Sequence, residues 1–155
     1  MPSVLLLQLP LPQLNYGRRT GNIPLGAACL QQAAAAAPGS AVRLLPPVLA
    51  NYLGDAALQA LILEDPGDGL GFSVFSWNLE RSLFLARRVK DRKRVRVVLG
   101  GPEVTPDNPL TRDPVVDFRT FGEGEGVFKR LLREPDLGKQ GEAALDAAAS
   151  FTAGS

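Results

Sequence analysis

Apolar residues along the chain gather in five short runs, separated by stretches in which they recur at helical spacing. The runs are Val4 to Leu9, Ala41 to Leu45, Leu70 to Phe75, Val95 to Leu99 and Val115 to Phe121. Breakers close them: Pro10, Pro46-Pro47, Gly100-Gly101-Pro102 and Gly122. Between the runs, Pro24 suits the first turn of a helix through Leu25, Ala28, Cys29 and Gln32 that stops before Pro38-Gly39. Asp55 is placed to cap a helix over Ala56 to Leu63, ended by Asp65-Pro66-Gly67. Leu79, Leu83, Ala86 and Val89 share a helix face, with Arg87, Arg88 and Lys90 turned to water, and Val127, Phe128, Leu131 and Leu132 mark a final helix.

Continuous apolar strands alternating with amphipathic helices predict a parallel sheet covered on both faces. The expected class is α/β: a doubly wound parallel five-stranded sheet, flavodoxin-like (Rossmann-like), with strand order 2-1-3-4-5. Residues 1–133 would form this domain. Residues 134–155 are small and polar with a short helical pattern near Glu142 to Ala149, and read as a linker or the truncated edge of a missing C-terminal domain. In such sheets ligands sit outside the carboxyl ends of the strands, where the winding reverses, so the strand–helix junctions carry the candidate chemistry.

Composition narrows the chemistry. Of 155 residues 45% are apolar, enough for a packed core, and 17 Lys plus Arg balance 16 Asp plus Glu to a net charge of +1. That balance argues against a nucleic-acid partner. The basic run Lys90-Asp91-Arg92-Lys93-Arg94 with Arg96 reads as a solvated helix end that complements the helix dipole. One cysteine cannot close an internal disulfide and fits a reducing compartment. The apolar start lacks a basic segment and breaks at Pro10 and Pro12, so the expectation is a soluble, cytoplasmic chain with no membrane partner. There is no histidine, which excludes imidazole metal ligation and histidine-dependent catalysis by this chain.

Four junctions stand out. Leu99-Gly100-Gly101-Pro102-Glu103-Val104-Thr105 puts paired glycines at a strand end, where backbone can approach a ligand and positive φ is permitted. Gly122-Glu123-Gly124-Glu125-Gly126 opens a helix; its carboxylates would repel a phosphate, so it reads as a close-approach wall rather than a nucleotide loop. Ser73 and Ser76 offer hydroxyls, Phe75 and Trp77 flat apolar faces, and Asn78 a helix N-cap. The long loop over 10–23 carries Asn15, Tyr16, Arg19 and Asn22. Cys29 reads as a small core residue.

Together these junctions resemble the N-terminal cobalamin-binding domain of cobalamin-dependent radical SAM enzymes. The resemblance covers residues 4 to about 133 and rests on Asn22-Ile23-Pro24-Leu25-Gly26, Gly71-Phe72-Ser73 with Trp77-Asn78, Leu99-Gly100-Gly101-Pro102-Glu103-Val104 and Val116-Asp117 through Glu125. It implies a corrinoid whose nucleotide tail enters a cleft between strand ends. Gly100 and Gly101, with Pro102, Glu103 and Thr105 following, would admit the tail; Ser73, Ser76 and Asn78 would bond it, and Phe75 or Trp77 pack on it. Gly122, Glu123, Gly124 and Glu125 would wall it, and Asn15, Tyr16, Arg19 and Asn22 would lie near the lower face of the ring. Cobalamin modules of mutases and methionine synthase carry an Asp-x-His-x-x-Gly loop; its absence here implies base-off cobalamin without a protein imidazole. The three thiolates of a radical SAM [4Fe–4S] cluster are also missing, so that cluster and S-adenosylmethionine would belong to a catalytic domain, in cis or in trans, and the chain alone would not catalyse. The alternatives are a flavin- or nucleotide-binding domain of the same fold, or a cofactor-free module for protein contact.

Overall fold

The computed structural model describes residues 3–11, 22–36, 39–122 and 124–133. The elements run β1 (Ser3–Leu7), α1 (Leu25–Ala35), β2 (Ala41–Leu44), α2 (Pro47–Tyr52), α3 (Asp55–Glu64), β3 (Gly69–Ser73), α4 (Leu79–Lys90), β4 (Arg96–Gly100), a short 3-10 helix (Pro109–Arg112), β5 (Phe118–Arg119) and α5 (Gly124–Arg133). All strand pairings are parallel and the order is β2-β1-β3-β4-β5, as the apolar runs predict.

Alternation along the strands divides the core in two. Leu5, Leu7, Leu70, Phe72, Val97 and Leu99 pack against Leu58 and Ile62 of α3 and Leu79, Leu83, Ala86 and Val89 of α4. Val4 and Leu6 face the other way, onto Ala27 and Ala34 of α1 and Phe128 and Leu132 of α5. Leu7, Leu58, Leu85, Val89, Val97 and Leu99 are entirely buried. At about 25 cal/mol per Å² of apolar surface removed from water, this two-sided burial is the main source of the fold's stability.

Several elements depart from the sequence reading. The second proline of Pro46-Pro47 does not simply end a strand: Pro47 opens α2, because a first-turn residue needs no donor N–H. Asp55 does not cap α3; it is the first helical residue after Gly54, and its carboxylate instead takes a hydrogen bond from Arg81 at 2.7 Å. The fifth run shrinks to two paired residues. Asp113 folds 113–116 into a turn through Val116 N–H to its carbonyl and Val115 N–H to its carboxylate, both at 2.9 Å. Asp117 keeps one backbone bond, its N–H to Val97 O at 2.9 Å, but its carboxylate accepts from Val97 N–H and from Lys90 Nζ, each at 2.6 Å, so a side chain takes the donor that a further strand carbonyl would meet. The helical pattern in 134–155, and the linker reading of that segment, lie outside the described residues.

Candidate functional site

The two faces of the sheet are not equally furnished. In β3, Leu70 and Phe72 belong to the core under α3 and α4, so the residues that alternate with them, Gly69, Gly71 and Ser73, face α1 and α5. A Cβ on Gly69 would come within 2.7 Å of Val4 Cγ2, and one on Gly71 within 2.6 Å of Leu6 Cδ2, so side chains from β1 fill the room over the central strand. One layer nearer the carboxyl end, Ser73 pairs with Gly100 of β4, and Thr120 follows β5 with its N–H on Leu99 O at 2.8 Å. This last layer is small throughout, and the helices cannot close onto it.

The outcome is a cleft of about 450 Å³ at the carboxyl edge, between α1, α5 and the sheet. Leu6, Val98 and Phe128 form its apolar floor, Leu25, Cys29 and Leu30 its α1 wall, and Gly122, Gly124 and Glu125 its α5 wall. Ser73 and Thr120 put hydroxyl groups at the sheet; the Thr120 hydroxyl donates to Leu99 O at 3.2 Å and keeps lone pairs for an incoming donor. Gly101 turns the chain sharply, with φ at +111°, and a Cβ there would stand 2.6 Å from Val74 O. Gly122 makes the matching turn before α5 at φ +67°.

Of the residues singled out from sequence, Ser73, Gly100, Gly101, Gly122, Gly124 and Glu125 line this cleft. Phe75 and Trp77 do not; they stack on each other at the rim, ring centroids 4.6 Å apart and planes 10° from parallel, with Trp77 exposed. Ser76, Pro102 and Thr105 are exposed and do not line the cleft. Glu103 is half-buried and accepts a hydrogen bond from Asn108 at 3.2 Å. Asn78 precedes α4 as expected, yet its side chain does not cap the helix. It is fully buried, donates to Leu9 O at 2.9 Å and Ser73 O at 3.2 Å, and accepts from Phe75 N–H at 2.8 Å. Asn22 is likewise engaged, donating to Gln8 O at 3.1 Å and Asn51 Oδ1 at 2.9 Å while accepting from Gln8 Nε2 at 2.9 Å. Asn15, Tyr16, Arg19 and Glu123 lie outside the described residues. Cys29 is corrected: it is half-buried on the cleft wall, not a core residue. Thr120, Leu30 and Phe128 were not anticipated as cleft residues; Thr120 had a usable signal, a hydroxyl at the carboxyl end of the fifth run.

Residues 20–132 match the B12 binding domain family over most of the chain. The chain belongs to that family. Two curated relatives agree with the assignment. The 2-(S-pantetheinyl)-carbapenam-3-carboxylate methyltransferase of Streptantibioticus cattleyicolor is 45% identical over 76 residues, 46% of this chain and 11% of that protein. The cobalamin-dependent radical SAM methyltransferase TokK of Streptomyces tokunonensis is 44% identical over 69 residues, 42% of this chain and 10% of its own length. The chain thus covers about a tenth of each. The resemblance drawn from the four junctions is borne out. The cleft thus combines an apolar floor, glycines on its walls and two hydroxyl groups. Among the described residues no helix is long and apolar enough to cross a membrane.

Proposed function

We propose that this chain is the cobalamin-binding module of a radical SAM enzyme, holding base-off cobalamin for a methyl transfer or rearrangement carried out by a catalytic domain it does not contain. The cleft between α1 and α5 carries this reading, because its small-residue last layer provides depth where a sheet of ordinary residues would be filled. Gly100 and Gly101 admit the nucleotide tail, and the Ser73 hydroxyl hydrogen-bonds it. The stretch from Gly122 to Glu125 forms the opposite wall, and the Phe75–Trp77 stack packs on the ligand at the rim. The loop with Asn15, Tyr16, Arg19 and Asn22 lies toward the lower face of the ring. With no histidine in the chain, no imidazole of this domain would ligate cobalt, and a tail lodged in the cleft would keep its own base off the metal. Bound cobalamin supplies a cobalt centre able to carry a methyl group. The domain's own work is to hold the tail, fix the ring against the rim and exclude water from its underside. The TokK relative is named a radical SAM methyltransferase, and since this chain has one cysteine, S-adenosylmethionine and the [4Fe–4S] cluster belong on this reading to a partner domain, in cis or in trans.

Titration with hydroxocobalamin and, separately, with flavin mononucleotide tests this function by absorption spectrum. A shift to the base-off cobalamin spectrum with no flavin retained is the expected result. Ser73→Ala should weaken binding about fivefold, the order of one net hydrogen bond. An unshifted cobalamin spectrum, or retained flavin, would overturn the assignment.

A further inference from the structure

The amino edge of the sheet, opposite the cleft, carries a second hollow of about 520 Å³, lined by Asp68, Lys90, Arg94, Val95, Arg96 and Asp117. Its two carboxylates are committed to strand starts. Asp68 accepts from Ser3 N–H at 3.0 Å at the head of β1, and Asp117 accepts from Val97 N–H and Lys90 Nζ, each at 2.6 Å. The cations are not all so committed. Lys90 also donates to Val115 O at 2.9 Å, whereas Arg94 is exposed and, among the described residues, makes no hydrogen bond or ion pair. A helix dipole accounts for Lys90, the last residue of α4, but its effect fades within one turn. Arg94 and Arg96 stand beyond that turn, on the approach to β4 and at its first residue.

The chain leaves α5 beside this hollow. Leu132 packs with Val4 at the head of β1, and Leu131 with Val98 and Phe118 of β4 and β5, so the last turn of α5 lies across β3. Asp68 immediately precedes β3. Arg96 shares with Val98 the sheet face that α5 covers, since Val97 and Leu99 face α3 and α4. Past Arg133 the sequence turns acidic. Residues 134–155 hold Glu134, Asp136, Glu142 and Asp146 against Lys139, a net charge of −3, which leaves +4 on residues 1–133.

We propose that the amino-edge hollow docks the acidic segment that follows α5, with carboxylates between Glu134 and Asp146 seated on Arg94 and Arg96 beside Lys90. Arginine suits this task because its guanidinium presents paired donors to a carboxylate. Single exposed ion pairs are weak, but the segment is tethered to the surface it meets, and tethering supplies an effective concentration of about a millimolar or more. Contacts too weak to hold a free peptide then suffice. The docking concerns the edge away from the cleft and does not depend on which ligand the cleft takes.

Zero-length carbodiimide crosslinking of the full chain, mapped by peptide mass spectrometry, tests it. At about 20 mM salt Lys90 or Lys93 should join to Glu134, Asp136, Glu142 or Asp146 within one chain, and the yield should fall at least about fivefold at about 500 mM salt. Arg94→Glu should lower it at least about threefold. The link between Lys90 and Asp117, a pair 2.6 Å apart, should persist throughout and reports that the domain is folded. Segment carboxylates that join only Lys129 or Lys139, that join Lys90 or Lys93 only between two chains, or that keep their yield in high salt and in Arg94→Glu would each overturn the docking.

Discussion

Asn78 holds the rim together through one carboxamide. Its donors reach Leu9 O beyond β1 and Ser73 O at the end of β3, and its oxygen takes Phe75 N–H, so two strand ends and the aromatic stack share a single buried anchor. Its backbone carbonyl also accepts from Ser82 Oγ at 2.7 Å, fastening the first turn of α4. Truncation would strand three polar groups, one buried and two part-buried, and a buried one costs about 1–3 kcal/mol when left unmet. Water entering the space would recover part of this, so Asn78→Ala is expected to lower unfolding free energy in urea by about 2–4 kcal/mol; a loss below about 1 kcal/mol would contradict the anchoring role. Gly101 is a second residue with no substitute. An alanine there would need φ near +111° and would press its Cβ on Val74 O at 2.6 Å. Gly101→Ala should cost at least about 2 kcal/mol in the same assay.

Among the elements, the connection from β4 to β5 is clasped to α4 by charge. Arg87 donates to the Asp113 carboxylate, and that hydrogen bond, supported by Val115 N–H and opposed by partial burial, holds the Asp113 carboxyl below its ordinary 3.8. A folded-state pKa below the unfolded one means that the contribution is complete above about pH 4 and is lost as pH falls through the depressed value. Since Arg87 is half-exposed, the pair is worth about 1 kcal/mol or less. Asp113→Asn should therefore lower stability by a constant amount above about pH 5, a gap that closes below pH 4; a gap independent of pH would contradict the assignment. The elements themselves were largely legible. Strands buried on both faces leave unbroken apolar runs, and the α4 face of Leu79, Leu83, Ala86 and Val89 is buried as its spacing predicts. What escaped was side-chain chemistry acting on backbone: Asp113 and Asp117 shorten β5, and Pro47 starts a helix where two prolines suggest only a stop.

At the scale of the molecule, the parallel order places β1, β3 and β4 side by side, so their carboxyl ends share one edge, and the small residues of β3 and β4 leave that edge hollow on the α1/α5 side. Gly100 and Gly101 betrayed the hollow in the sequence because paired glycines after a strand have few other uses. Cys29, Leu30 and Phe128 did not, since a helix face lining a cavity has the same period as one lining a core. That Cys29 is the chain's one cysteine and stands half-buried on the cleft wall gives direct access to the central claim, that the cleft receives the tail of cobalamin. The deciding measurement is the rate at which iodoacetamide alkylates Cys29 with and without saturating cyanocobalamin. A tail seated between α1 and α5 predicts a rate at least about tenfold slower in the saturated protein; an unchanged rate, with cobalamin demonstrably bound, would contradict it.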